Sequence, residues 1–144
     1  MKDFTKKTSA FLNVTIRDHL DNLSLLILRL VLGLTMLLQH GWVKMQNYEN
    51  IRLTFPDPLN LGNPQLSLIM ALGAEVVCAL LVAVGFLTRL AAIPLVVTML
   101  VAFFLIHGDD PFAKKELAFL YLTGFVVLAL RGAGKLSVDG MLTK

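Results

Sequence analysis

Four long, mainly apolar stretches, at 23–38, 66–87, 90–106 and 117–130, constrain this chain more than any single residue does. None shows the polar–apolar alternation of a half-buried strand, so each reads as a helix. A helix needs about 20 mainly apolar residues to cross a bilayer. The second stretch meets that length unaided, and the first and fourth reach it with their polar flanks at the interface. Charged residues make up only 16% of the chain, where soluble domains carry about 25%. A small soluble domain has too much surface for its volume to hide so much apolar side chain. Lipid offers the backbone no water to bond with, so segments that cross it must be helical. The expected fold is therefore all-α, a polytopic four-helix membrane bundle with spans near 23–42, 66–87, 90–106 and 116–131. These spans form one domain, 23–131, between an N-terminal segment, 1–22, and a tail, 132–144.

The flanks and links add detail. Phe11, Leu12, Ile16, His19, Leu20 and Leu23 share one helical face, which predicts a short interfacial helix before the first span. No apolar segment lies at signal-peptide distance from Met1, so the first span is expected to be retained. The minimal Thr88-Arg89 link makes the second and third helices antiparallel neighbours. Pro56, Pro58 and Pro64 stiffen the long 42–65 connection into a loop expected over the bundle mouth. Pro94 is expected in the first turn of the third helix, where a missing N–H is tolerated, and Gly132-Ala133-Gly134 reads as a helix stop. With the N-terminus inside, eight Lys and Arg residues face the cytoplasm and four, Lys44, Arg52, Lys114 and Lys115, face the other side. That asymmetry predicts cytoplasmic N- and C-termini, and it accounts for the net charge of +3 without a nucleic-acid partner. The single Cys78 excludes an intrachain disulfide and Cys-x-x-Cys chemistry, and it reads as a small packing residue.

Polar residues within the spans carry the chemical signal. Arg29 and Glu75 each cost about 2.5–3.5 kcal/mol when isolated at mid-helix, so such charges pair or line a wet cavity. Two readings stand side by side. Arg29 and Glu75 form an intramembrane ion pair that fixes helix packing, or Glu75 handles protons or substrate with Arg29 holding it ionised. A second group gathers where the first and third helices end and the fourth begins: Gln39, His40, Lys44, Asp57, His107, Asp109, Asp110, Lys114, Lys115 and Glu116. Taken singly, these are ordinary interfacial residues. Together, His40 and His107 could ligate a metal with Asp57 or Glu116, or hydrogen-bond a quinone head group. No His-x-x-x-His motif supports a metal, so none is assigned, and histidines at the rim count against bis-histidine haem. There is no P-loop, no dinucleotide fingerprint and no Ser/His/Asp constellation. Small residues, Gly33, Gly73, Ala74, Ala79, Gly85 and Gly124, permit close helix approach, and Tyr121 and Thr123 can hydrogen-bond across helices.

Several short motifs in order are similar to the DoxX family of small bacterial membrane proteins. They are Leu28-Arg29-Leu30 with Gly33, His40-Gly41-x-x-Lys44, Ala71-Leu72-Gly73-Ala74-Glu75 and Gly85-Phe86-Leu87-Thr88-Arg89-Leu90-Ala91-Ala92. Thr98-Met99-Leu100-Val101, Lys115-Glu116-Leu117-Ala118-Phe119-Leu120-Tyr121-Leu122 and Gly134-Lys135-Leu136-Ser137-Val138-Asp139 complete the set. The resemblance implies a four-helix fold in the bacterial inner (plasma) membrane. It also implies a small subunit of a redox complex, by analogy with relatives linked to thiosulfate:quinone oxidoreductase. An oxidoreductase role, a quinone and a redox partner protein thus come from resemblance alone, since the chain carries no self-contained catalytic motif. The alternatives are a structural or assembly protein, or a small-molecule transporter using the Arg29/Glu75 pair. Transport by one four-helix bundle would call for a homo-oligomer.

Overall fold

The computed structural model describes the backbone of residues 2–143 and the side chains of 14–143. Among the described residues every regular element is a helix. The first, α1, runs from 2 to 46 as one rod: an α-helix over Lys2–Thr35, one π-helical turn over Met36–Gly41, and a last α-helical stretch, Trp42–Gln46. The predicted interfacial helix is not a separate element, because the backbone stays helical from Lys2 through the start of the span. The physical reason is local: no Gly or Pro occurs before Gly33, so nothing breaks the helix. At about 1.5 Å per residue the rod is about 67 Å long, roughly twice the hydrocarbon thickness of about 30 Å.

A short helix, α2 (Tyr48–Ile51), leads into the proline-rich loop. The next long helix, α3 (Pro64–Val84), begins with Pro at its first position. Asn63 caps it by accepting from the Leu66 N–H at 3.2 Å. It ends at Gly85, whose φ of 75° allows the Gly85 and Phe86 N–H groups to return to the Leu81 carbonyl. The following helix, α4 (Thr88–Ile106), starts two residues before the predicted apolar run. Pro94 therefore lies inside the helix and not in its first turn, which removes one internal hydrogen bond there. The fourth long helix, α5 (Phe112–Arg131), precedes a short α6 (Val138–Leu142) in the tail.

Among the described residues three helices are long and apolar enough to cross a membrane: Val14–Gln46, α3 and α4. The 20-residue α5 is similar in length but carries Lys114, Lys115 and Glu116 near its start. The four long helices pack in a ring, α1 on α3, α3 on α4, α4 on α5 and α5 on α1. We call the end where α1 and α4 finish the loop end, and the opposite end the tail end. Close approach relies on missing side chains. A Cβ on Gly33 would lie 2.8 Å from the Ala79 carbonyl oxygen, and one on Gly124 would collide with Leu32. Met36, Val82, Leu95, Phe125 and Leu128 fill the centre, while Ile27, Val31, Val77, Val97 and Leu130 point outward. Large apolar side chains on the outside fit lipid and not water as the surrounding solvent.

Candidate functional site

At the loop end, the π turn of α1 crosses the π turn Gly73–Cys78 of α3. Gly41 makes the crossing possible, since a Cβ there would lie 2.6 Å from the Glu75 carbonyl oxygen. A π turn inserts one extra residue into a helix and re-aims the side chains around it. Here it places His40 and Glu75 on a common cavity. Glu75 is 3% exposed. Lys44, one turn beyond His40 and with 27% of its side chain exposed, donates from Nζ to both Glu75 oxygens at 2.6 Å.

This pairing corrects the expected Arg29–Glu75 bridge. Arg29 is also only 3% exposed, but its guanidinium donates to the Ala83 carbonyl at 3.0 Å and to the Leu136 carbonyl in the tail. The two charges sit at different depths, and each finds a partner at its own level. Arg29 lies six residues from the tail-end limit of its apolar run, 23–38, and Glu75 twelve from that of its own, 66–87, about 9 and 18 Å at about 1.5 Å per residue. That depth arithmetic was the signal in the sequence. Arg29 instead ties the tail to the turn between α3 and α4, a turn that Asp139 also holds by accepting from the Leu87 and Thr88 N–H groups.

The cavity encloses about 600 Å³, within the range of about 300–1,000 Å³ typical of small-molecule sites. Its polar residues include His40, Lys44, Glu75, Thr98, His107 and Tyr121; its walls are mainly apolar, from Met70, Ile93, Val97 and Leu117 among others. The His40 ring stands edge-on to Tyr121, centroids 5.5 Å apart, and the Tyr121 hydroxyl donates to Thr35 Oγ1 at 2.9 Å across the helix boundary. Thr123, by contrast, bonds back to the Phe119 carbonyl of its own helix. Phe55, Pro56, Pro58, Leu59 and Leu61 roof the cavity, as the proline-rich loop was expected to do.

Of the other predicted rim residues, Lys114 also lines the cavity, while Gln39, Asp57, Asp109, Asp110, Lys115 and Glu116 do not. Asp57 turns away from it, accepting from Ser67 Oγ at 2.7 Å and from the Gly62 N–H at 2.8 Å. The Ser67 hydrogen bond, helped by backbone N–H groups of 61–63, holds the Asp57 carboxyl below its ordinary range. His107 reaches the cavity while its Nδ1 lies 2.9 Å from Asp110, which also receives Lys114 at 3.2 Å. Both contacts, His107 first, lower the Asp110 carboxyl. Lys115 donates to the Gly108 carbonyl and lies 5.2 Å from the centre of the Phe103 ring. Gln39, Asp109 and Glu116 are exposed. Among the described residues no group of three or more His, Cys, Asp or Glu side chains is placed to hold a metal. His40 and His107 are accordingly not assembled with Asp57 or Glu116 as a ligand set. The sequence reading missed the paired π turns and the part of Thr35 and Thr98, for which composition offers no marker.

The DoxX family model matches residues 24–108, more than half of the chain and all of the segment that carries His40, Lys44, Glu75 and His107. A relative from Haemophilus influenzae, described as an uncharacterized protein, is 31% identical over 107 residues, covering 72% of this chain and 71% of its own. No solved structure matches. The chain belongs to the DoxX family of membrane proteins.

Proposed function

We propose that the cavity at the loop end receives the head group of a membrane quinone, and that the chain serves as a small inner-membrane subunit of a quinone-linked redox complex. One observation carries the reading: a mainly apolar cavity of about 600 Å³ at a helix-bundle end, with His40 and the Lys44–Glu75 pair at its polar side. Ile93, Val97, Met70 and Leu117 line it and are also outwardly exposed, so an apolar ligand can enter from the bilayer. When bound, a quinone supplies a two-electron, two-proton acceptor. The protein's part is placement. Lys44 has three donors and gives two to Glu75, which leaves one for a ligand oxygen. Glu75 keeps that ammonium in place and charged, and His40, braced against Tyr121, offers a ring nitrogen beside it.

In this reading α5 is the fourth span, both termini are cytoplasmic, and a redox partner protein or a second copy meets the chain at its extracytoplasmic rim. Gln39, Lys115 and Glu116, exposed or half-buried around the cavity, are the residues such a partner would meet. The transport alternative loses the Arg29–Glu75 path on which it depended, because Arg29 lies outside the cavity. The test is purification from native membranes in mild detergent, followed by organic extraction. Quinone recovered near one per chain, with a redox protein co-eluting, is the expected result. A chain free of both quinone and partner would move the assignment to an assembly role.

A further inference from the structure

The tail end holds a second, shallower groove of about 760 Å³ between the start of α4, the end of α5 and the 132–135 turn. Three cations, Arg89, Arg131 and Lys135, line it against one carboxylate, Asp139, and Asp139 is already engaged by the Leu87 and Thr88 N–H groups. Arg89 makes no ion pair among the described residues. Arg131 and Lys135 reach Asp21 and Asp18 only at 3.5 Å, between side chains more than half exposed, where such pairs contribute little. Gly132, at φ 80°, lets Arg89 lie across the turn, since a Cβ there would come 3.1 Å from Arg89 Nε. Leu87, Leu90, Leu130 and Leu136 stand exposed around the groove.

We infer that this groove binds the phosphate of an anionic phospholipid in the leaflet at the tail end. The cations suit a phosphodiester, and the exposed leucines beside them suit acyl chains. A soluble phosphate would use the first feature and leave the second without a purpose. Basic pockets at the ends of membrane helices hold anionic head groups through the same combination.

The test is native mass spectrometry of the full chain in detergent, with phosphatidylglycerol, phosphatidylcholine or glycerol 3-phosphate added separately. Phosphatidylglycerol is expected to stay bound where the other two do not. Arg89→Gln and Lys135→Gln should each weaken it about fivefold, and together about thirtyfold. Both side chains are exposed, and an unchanged unfolding temperature would verify that the variants fold. Arg52→Gln, at the loop end, should retain the lipid fully. Equal binding of the two lipids, competition by glycerol 3-phosphate at the lipid's own concentration, or undiminished binding in the double variant would each overturn the assignment.

Discussion

Glu75 is the most constrained residue of the cavity, because its carboxylate is buried and its one ionic partner among the described residues is the partly exposed Lys44. Removing one member of such a pair leaves a buried charge uncompensated. Lys44→Met should therefore destabilise the fold by about 3 kcal/mol, at the low end for buried pairs because Lys44 keeps some solvent contact. The double variant Lys44→Met with Glu75→Leu should recover most of that loss, since an apolar pair carries no unpaired charge. Unfolding temperatures of the single and double variants in one detergent check this, and a double variant no more stable than Lys44→Met would refute it. The importance of Glu75 was legible in the sequence, as a charge inside an apolar run. Its partner was legible only through depth along the helices, because residue type alone made Arg29 and Lys44 equally suitable. Arg29 meets carbonyls of α3 and the tail, groups that every residue carries and that leave no trace in a sequence pattern.

At the scale of elements, apolar period and length placed the long helices, while their interruptions stayed hidden. The absence of Gly and Pro before Gly33 makes α1 one rod in place of an interfacial helix followed by a span. The three π turns, Met36–Gly41, Gly73–Cys78 and Ala102–Ile106, have no shared composition, yet each contributes to the wall of the cavity. They arise from how neighbouring helices cross, which a single sequence does not spell out. The loop over the cavity was readable from its prolines, but its clasp was not. Asp57, expected at the rim as a possible ligand, fastens the loop to Ser67 and Gly62. Its carboxyl is held below its ordinary range, so the clasp is intact above the unfolded value of about 3.9 and is lost as pH falls through the lower folded value. Pepsin cleavage between 55 and 61, normalised to an unstructured substrate, should rise as pH drops through that window. Asp57→Ala should be cleaved readily across the same window, and identical profiles for the two proteins would remove Asp57 from the clasp.

For the whole molecule, a ring of four helices brings residues from α1, α3, α4 and α5 to one end and the tail to the other. The two ends differ in chemistry: a roofed, mainly apolar cavity with a buried ion pair, and an open groove lined with cations. The count of Lys and Arg predicts that the tail end faces the cytoplasm. In a Cys78→Ala background, Asn60→Cys should react with a membrane-impermeant maleimide in intact spheroplasts, and Lys135→Cys only after permeabilisation. The reverse pattern would invert the topology. The central claim, that the roofed cavity holds a quinone head group, is tested most directly by calorimetric titration of the purified chain with decylubiquinone. Wild-type protein should bind one equivalent, His40→Ala and Lys44→Met should each weaken binding about tenfold, the loss of one charge-assisted or ring hydrogen bond, and Glu116→Gln should bind as wild type. Absence of binding by the wild-type chain, or an affinity unchanged in both cavity variants, would contradict the account.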